Sequence, residues 1–384
     1  MGYHNGAGDK KEGYAVEKNE ILKIYGTDFK EMTKRLLAEG NAGELIPSKH
    51  TLIGIKPNLV SGSTADWGAT THPEVVAGII EYLQERQFDN IIMLEGSWVG
   101  DKTMDVARMC GYTDLSEKYG VPFVDTQKDS TRKTDCAGMK LEICSRALEV
   151  EFLINVPVLK GHCQTRVTCA LKNMKGIIPN REKRHFHSMG LHKPIAHLNT
   201  GIHQSLIVTD NICGDLDFED GGNPVVRNCV MLSRDAVLTD AYACRLLHID
   251  QDEVPYIGLA ERLGVGSADL GRAKIKIIDG ADACADENLP TAEKVISLRD
   301  AASEVESCSA CYGCMIGALQ MLKDDGLLGS LDEKVCIGQG YRGKKGLLGV
   351  GNCTSRFAVC IHGCPPTETQ IYEGLRAYIE DRRR

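Results

Sequence analysis

Hydrophobic and polar positions along the chain switch repeatedly between a helical period and short continuous apolar runs. Residues 1–20 are polar and Gly-rich and are expected to be loosely held. From Asp28 to Ala38 the apolar residues Phe29, Met32, Leu36 and Leu37 share one side of a helix, with Gly40 as its stop. Leu52 to Asn58 then reads as a buried strand ended by Pro57, followed by a Gly/Ser-rich loop from Ser61 to Thr70. Thr71-His72-Pro73-Glu74 has capping-box spacing, and Val75, Val76, Ile79, Ile80 and Leu83 form the apolar stripe of the helix behind it. Ile91 to Glu95 and Pro122 to Asp125 read as further strands.

A second run of the same kind starts near Val150. Phe152–Leu159, Leu206–Asp210, Val230–Ser233 and Ile275–Asp279 read as strands, and Asp235–Leu247 and Pro255–Leu263 as helices. The alternation predicts an α/β protein with two Rossmann-like lobes and mostly parallel sheets, plus a small C-terminal module. The expected boundaries are a flexible segment 1–20, a first lobe 21–150, a second lobe 151–295 and a Cys-rich module 296–384. Residues 281–300 read as a linker. Parallel sheets place ligands at the carboxyl ends of their strands. That rule marks Lys56 and Asn58 after one strand, and Glu95 and Gly96 after another, as candidate substrate-binding positions.

Composition narrows the function. The chain has 384 residues, a formal net charge of -8 and 5% aromatic residues, which argues against a general nucleic-acid binder. No apolar run approaches the roughly 20 residues of a membrane helix. The N-terminus lacks the apolar core of a signal peptide, so a cytoplasmic location is expected. In that compartment the 16 cysteines read as ligands, catalytic thiols or small core residues rather than disulfides. Cys169, Cys229 and Cys244 sit in apolar runs and read as core. This cysteine usage suits an oxygen-poor, anaerobic cell.

Residues 158–197 invert the local charge. Lys160, Arg166, Lys172, Lys175, Arg181, Lys183, Arg184 and Lys193 are accompanied by a single carboxylate, Glu182. Solvated faces normally intersperse both signs, so the segment reads as a site for a carboxylate or phosphate. A helix from Arg166 to Lys175 would bury Val167, Ala170, Leu171 and Met174 and aim Thr168, Lys172 and Lys175 in one direction. His162, His185, His187, His192 and His197 add groups that titrate near neutrality. His185-Phe186-His187 would place both rings on one side of an extended segment, where they could move protons or bind a transition metal. The catalytic candidates are His162, Lys172, His185 and His187. The substrate-binding candidates are Lys56, Asn58, Glu95, Lys160, Arg166 and Lys175.

The tail carries Cys308-Ser-Ala-Cys311-Tyr-Gly-Cys314, Cys336, Cys353 and Cys360-Ile-His-Gly-Cys364-Pro365. Cysteines at two-residue gaps with a distant Cys-Pro suit an iron–sulfur cluster, since thiolates are soft ligands. A tetrahedral zinc site made of four cysteines is the competing reading. The third close cysteine and the Cys364-Pro365 pair favour iron–sulfur. The glycines between 338 and 351 would let backbone N–H groups approach a cluster, and Arg342, Lys344 and Lys345 add positive charge there.

Lys160-Gly-His162, Leu171-Lys172-Asn173-Met174-Lys175-Gly176, Lys56-Pro57-Asn58-Leu59, Thr71-His72-Pro73-Glu74, Thr209-Asp210-Asn211-Ile212 and Asp235-Ala236-Val237 together resemble the family known as domain of unknown function 362. Cys308-Ser-Ala-Cys311, Ile337-Gly-Gln-Gly340, Gly351-Asn-Cys353 and Gly363-Cys364-Pro-Pro366 resemble its iron–sulfur extension. That resemblance implies a [4Fe–4S] cluster on Cys308, Cys311, Cys353 and Cys364, with Cys314 and Cys360 as alternates, because the family pattern often lacks a cysteine where Cys314 stands. It brings no agreed reaction. A looser likeness in lysine and histidine arrangement is to nickel-pincer lactate racemases, at the level of fold analogy.

These readings point to an iron–sulfur enzyme acting on a small anionic metabolite. Lys172, Lys175 and Arg166 would hold the anion, and His162, His185 or His187 would move protons. Four thiolate ligands favour redox chemistry. A lyase or isomerase using the cluster as Lewis acid, and a non-catalytic electron or cluster carrier, are the alternatives. The expected partners are an electron donor such as a ferredoxin or flavodoxin and a second copy of the chain, with neither nucleic acid nor membrane.

Overall fold

A computed structural model describes residues 15–162, 164–216, 224–279 and 298–383. The linker expected at 281–300 falls outside these up to residue 297, as does the N-terminal segment expected to be loosely held up to residue 14, while Val16 and Glu20 at its end are buried.

The strands in chain order are β1 (Glu20–Tyr25), β2 (Ile53–Pro57), β3 (Ile91–Glu95), β4 (Phe123–Asp125), β5 (Thr131–Cys136), β6 (Met139–Cys144), β7 (Phe152–Val156), β8 (Lys160–His162), β9 (Arg166–Thr168), β10 (Leu206–Asp215), β11 (Pro224–Ser233) and β12 (Lys274–Asp279). Eight of them form one sheet in the order β12-β1-β11-β10-β7-β2-β3-β4. β11 runs antiparallel to both its neighbours, and the other pairings are parallel. The α/β class and mostly parallel sheet expected from the sequence are therefore present. The strands of residues 21–150 and 151–295 do not form separate sheets, because β7 pairs directly with β2, Ile53 opposite Phe152 and Ile55 opposite Ile154. The pairs β5–β6 and β8–β9 are separate antiparallel hairpins.

Alternation along each strand divides the interior into two cores. Ile21 and Tyr25 face one, with Ile92, Leu94, Leu153, Ile207 and Met231. Leu22 and Ile24 face the other, with Ile53, Ile55, Met93, Ile154, Val208 and Leu232. The helices Phe29–Glu39 and Pro73–Glu85 cover the second face through Leu36, Leu37, Val76, Ile79 and Ile80, all buried. Each such side chain contributes about 1.5–3 kcal/mol by leaving water. The helices Ala236–Leu246 and Pro255–Arg262 cover the first face. Central strands β2 and β7 are buried along their whole length, which explains their unbroken apolar runs.

The expected capping box at Thr71 is not formed. His72 is the N-cap, and its backbone N–H donates to Asp210 Oδ2 at 2.7 Å. The Thr71 hydroxyl instead joins two strand ends, accepting from Asn58 N and donating to Val156 O, both at 2.8 Å. Burial opposes a charge on the His72 ring, but the Asp210 carboxylate, 2.8 Å from Nδ1, outweighs it and raises the pKa.

The C-terminal module has its own core, built from Leu319, Leu322, Val335, Leu348, Val350, Ile371 and Leu375 among others. Its strands β13 (Ala302–Glu304), β14 (Val335–Ile337), β15 (Leu348–Val350) and β16 (Val359–Ile361) form a parallel sheet in chain order. The helices Ser309–Asp324 and Glu368–Arg382 pack on it, the second started by a capping box at Thr367 and Gln370. Among the described residues no helix is long and apolar enough to cross a membrane.

Candidate functional site

At the carboxyl ends of β2 and β3 the chain must leave the sheet, and the polar residues placed there form the floor of a cavity of about 480 Å³. Lys56 lies under it, fully buried, with its ammonium on the Glu95 carboxylate and on Pro57 O at 3.1 Å. Burial is the largest influence on both members. It pulls the Lys56 pKa down and pushes that of Glu95 up, against their mutual attraction. Lys183 closes the floor, donating to Gly96 O at 2.8 Å and Ser97 O at 2.6 Å. Gly176 is required here because a Cβ would overlap the Glu95 carboxylate. The Thr126 hydroxyl, donating to Gly176 O at 2.6 Å, holds that approach.

Lys172, Lys175, Thr168 and Asn173 supply one wall. The expected helix from Arg166 to Lys175 is in fact β9, the helical turn Ala170–Asn173 and a 3-10 turn Met174–Ile177. The packing expected of it survives that change, since Val167, Ala170, Leu171 and Met174 are all buried. Lys172 Nζ donates to Thr168 Oγ1 at 3.1 Å, so those two residues do share a face. Below the wall, Asn173 Nδ2 donates to Asn155 Oδ1 at 2.7 Å, and Asn155 Nδ2 to Gln204 Oε1 at 2.6 Å. This buried amide chain fixes the position of Asn173 in the lining.

Of the remaining candidates, Asn58, Glu95 and His187 line the cavity, and Lys160, Arg166, His162 and His185 do not. Lys160 is fully buried and donates to Ala69 O at 2.6 Å. Arg166 pairs with Glu253 at 3.2 Å. His162 Nδ1 accepts the backbone N–H groups of Gln164 and Thr165, both at 3.0 Å, and so shapes its own turn. His185 and His187 do not share a side. They belong to the helix Asn180–Met189, where positions two apart diverge by about 200°. His185 instead faces Glu182, Nδ1 to Oε1 at 3.2 Å. His192 stacks on Tyr256, and His197 Nδ1 contacts Cys136 O at 2.8 Å.

Lining residues not singled out as site residues from the sequence include Lys183, Arg184, Trp98, Gln339 and Arg342. Gln339 could have been found, since a lone amide between Gly338 and Gly340 suggests close backbone approach. Its Nε2 joins the two parts of the molecule, donating to His187 O at 2.9 Å and to Cys308 Sγ at 3.5 Å. The lining contains the cations Lys172, Lys175, Lys183, Arg184 and Arg342 against one carboxylate, Glu95, among the described residues.

The opposite wall is made of thiols. Cys308, Cys311 and Cys364 line the cavity. Cys308 caps the helix Ser309–Asp324 and Cys311 sits in its first turn. Cys353 and Cys364 lie on two loops joined by Gly351 N to Ile361 O at 2.8 Å, Asn352 N to Gly363 O at 2.9 Å and Gly363 N to Asn352 Oδ1 at 3.1 Å. Burial raises the Cys308 and Cys311 thiols, Cys311 to about 12, and the remaining members of the set of four add to the effect. The Arg342 guanidinium donates to Cys353 and lies near Cys308 and Cys364. Cys314, one turn beyond Cys311, packs against the module's core, and Cys360 Sγ faces Thr354 Oγ1 and Gly351 O at 3.5 Å. Among the described residues no three His, Cys, Asp or Glu side chains converge as ligands of one metal ion.

The Lys183 ammonium offers a pH test. Burial holds its pKa down at about 8. Anion affinity in the cavity should therefore fall as pH rises through about 8, where the charge is lost. Calorimetry on Lys183→Met should give a weaker affinity that is flat over the same range.

Among solved structures the chain is similar to the lactate racemase apoprotein from Thermoanaerobacterium thermosaccharolyticum, at 13% identity and a TM-score of 0.40, covering 59% of this chain and 57% of that one. It is also similar to a protein from Thermotoga maritima, at 13% identity and a TM-score of 0.37, covering 65% and 61%. It spans less than two thirds of either structure. A thylakoid-associated protein of Synechocystis sp. is 27% identical over 226 residues, 55% of this chain and 67% of that protein. Residues 53–245, about half the chain, contain most of the cavity's floor and its lysine wall, and they match the family described as Domain of unknown function (DUF362), to which this chain belongs.

Proposed function

We propose that the chain is an iron–sulfur enzyme that carries out redox chemistry on a small carboxylate or phosphate in this cavity. The observation that carries the reading is that Cys308, Cys311 and Cys364 wall the same cavity as Lys172, Lys175 and Lys183. Cys308, Cys311, Cys353 and Cys364 would hold a [4Fe–4S] cluster, which supplies or accepts one electron at a time. The donor set fits a cubane better than a single zinc. A cubane distributes its thiolates over four irons, so its ligands gather without converging on one point. Four thiolates leave no iron open, which favours redox over Lewis-acid chemistry.

Lys172, Lys175 and Arg184 bind the anion and Lys183 sets the charge beneath it. His187, in the same lining, is the group placed to carry a proton. The exposure of Cys364 would also suit a simple electron carrier, but a carrier has no use for a cationic cavity behind its thiols.

Anaerobic purification should yield iron and sulfide together, with a paramagnetic signal on reduction that shifts when a bound carboxylate or phosphate is added. Zinc without sulfide in intact protein would sink the cluster. A signal indifferent to an anion that calorimetry shows bound would sink the shared site.

A further inference from the structure

The loops on either side of Cys353 carry a charge pattern of which the cavity lining takes only Arg342. From Val335 to Thr367 the chain contains no Asp or Glu, although its formal net charge is -8. In the same span Arg342, Lys344, Lys345 and Arg356 are all exposed. A surface serving solubility alone mixes both signs. The two loops form one face. Arg356 Nη1 donates to Gly343 O at 3.4 Å, and Tyr341 meets Phe357 edge-on at 5.6 Å between ring centroids. Gly343, at φ +76°, makes the turn between Arg342 and Lys344. Arg342 reaches inward to Cys353, while exposed Cys364 lies within electrostatic reach of it. Glu304 lies within electrostatic reach of Tyr341, and its carboxylate accepts the Ser307 N–H at 2.6 Å. Bases would find little to stack on, since Phe357 is buried and the Tyr341 hydroxyl is bound to Ser303 at 2.7 Å.

We propose that Lys344, Lys345 and Arg356, on the two joined loops that carry Arg342 and Cys353, form the docking surface for a small acidic electron-transfer protein. The inference rests on the cluster reading above. One electron passes from the reduced carrier, which is oxidised, to the cluster, which is reduced, and no covalent bond changes. The charge pattern suits this role because opposite fields raise encounter rates by about 10–1000-fold at low salt and fade within a Debye length of about 8–10 Å at physiological salt. A transient redox partner needs fast association and fast release more than a large buried area.

The test uses cluster-loaded protein and a purified, strongly acidic ferredoxin. Binding should be measurable near 0.01 M salt and weaken steeply towards about 0.15 M. The triple variant Lys344→Glu, Lys345→Glu, Arg356→Glu should lose roughly tenfold or more in affinity and most of the salt dependence. Its iron, sulfide and chemical reduction by dithionite should be unchanged. If that variant fails to fold, Lys344→Gln with Lys345→Gln should show the same trend at smaller amplitude. Unchanged affinity in the variants, no binding by loaded protein at low salt, or tighter binding of single-stranded RNA than of ferredoxin overturns the surface alone. Protein that lacks iron and sulfide overturns the cluster and this surface with it.

Discussion

Glu95→Ala should destabilise the folded chain by about 3–5 kcal/mol, the usual result of removing one member of a buried ion pair. Lys56 is fully buried and Glu95 nearly so. The carboxylate also stands near Lys183, so its loss leaves two buried ammonium groups facing each other. The denaturant midpoint measures the effect. Adding Lys56→Met to the same chain should recover a large part of the loss, since an apolar residue of similar volume ends the need for a partner. If the double variant is as unstable as Glu95→Ala alone, the pair is not what holds the floor together.

Lys172→Met combined with Lys175→Ala should reduce affinity for a carboxylate or phosphate ligand by roughly a hundredfold or more. Hydrogen bonds to charged groups are worth about 1.5–3 kcal/mol each. Methionine at 172 keeps the buried stem, so packing is preserved and the charge alone is removed. The control is Lys193→Ala. Lys193 belongs to the same basic segment but is exposed and does not line the cavity. Calorimetry should show it binding as the unaltered chain does. Equal losses in both proteins would mean that the segment attracts anions only by its general charge.

The elements that could be read from the sequence were those with a clean period. The stripe from Val75 to Leu83 and the runs at Ile53 and Ile91 became the helix and strands they suggested. The single sheet was not legible, because the β2–β7 pairing joins residues about a hundred positions apart, which no local pattern records. Lys56, Lys160, Lys172 and Lys175 looked alike as cations. Their tertiary partners separated them, not their burial: Lys160 went to a backbone carbonyl, Lys56 to Glu95 in the floor, and the other two to the wall. The His185 and His187 geometry failed for a different reason. In the highly charged helix Asn180–Met189, Phe186 is the one large aromatic anchor, too weak a signal to reveal helical period. The basic segment did lead to the cavity, because a shortage of carboxylates is visible without knowing the fold.

The bridge made by Gln339 has a consequence for how the molecule matures. It connects His187 O to Cys308 Sγ, so the cavity acquires its second wall only when residues 308–365 have been made and have settled against the sheet. A ribosome delivers the lysine wall first and the thiols last, and earlier parts of a chain fold first. The cavity thus stays half-built through most of synthesis and closes as the cysteines arrive. A chain stalled before residue 308 would therefore carry the lysine wall without the thiol wall.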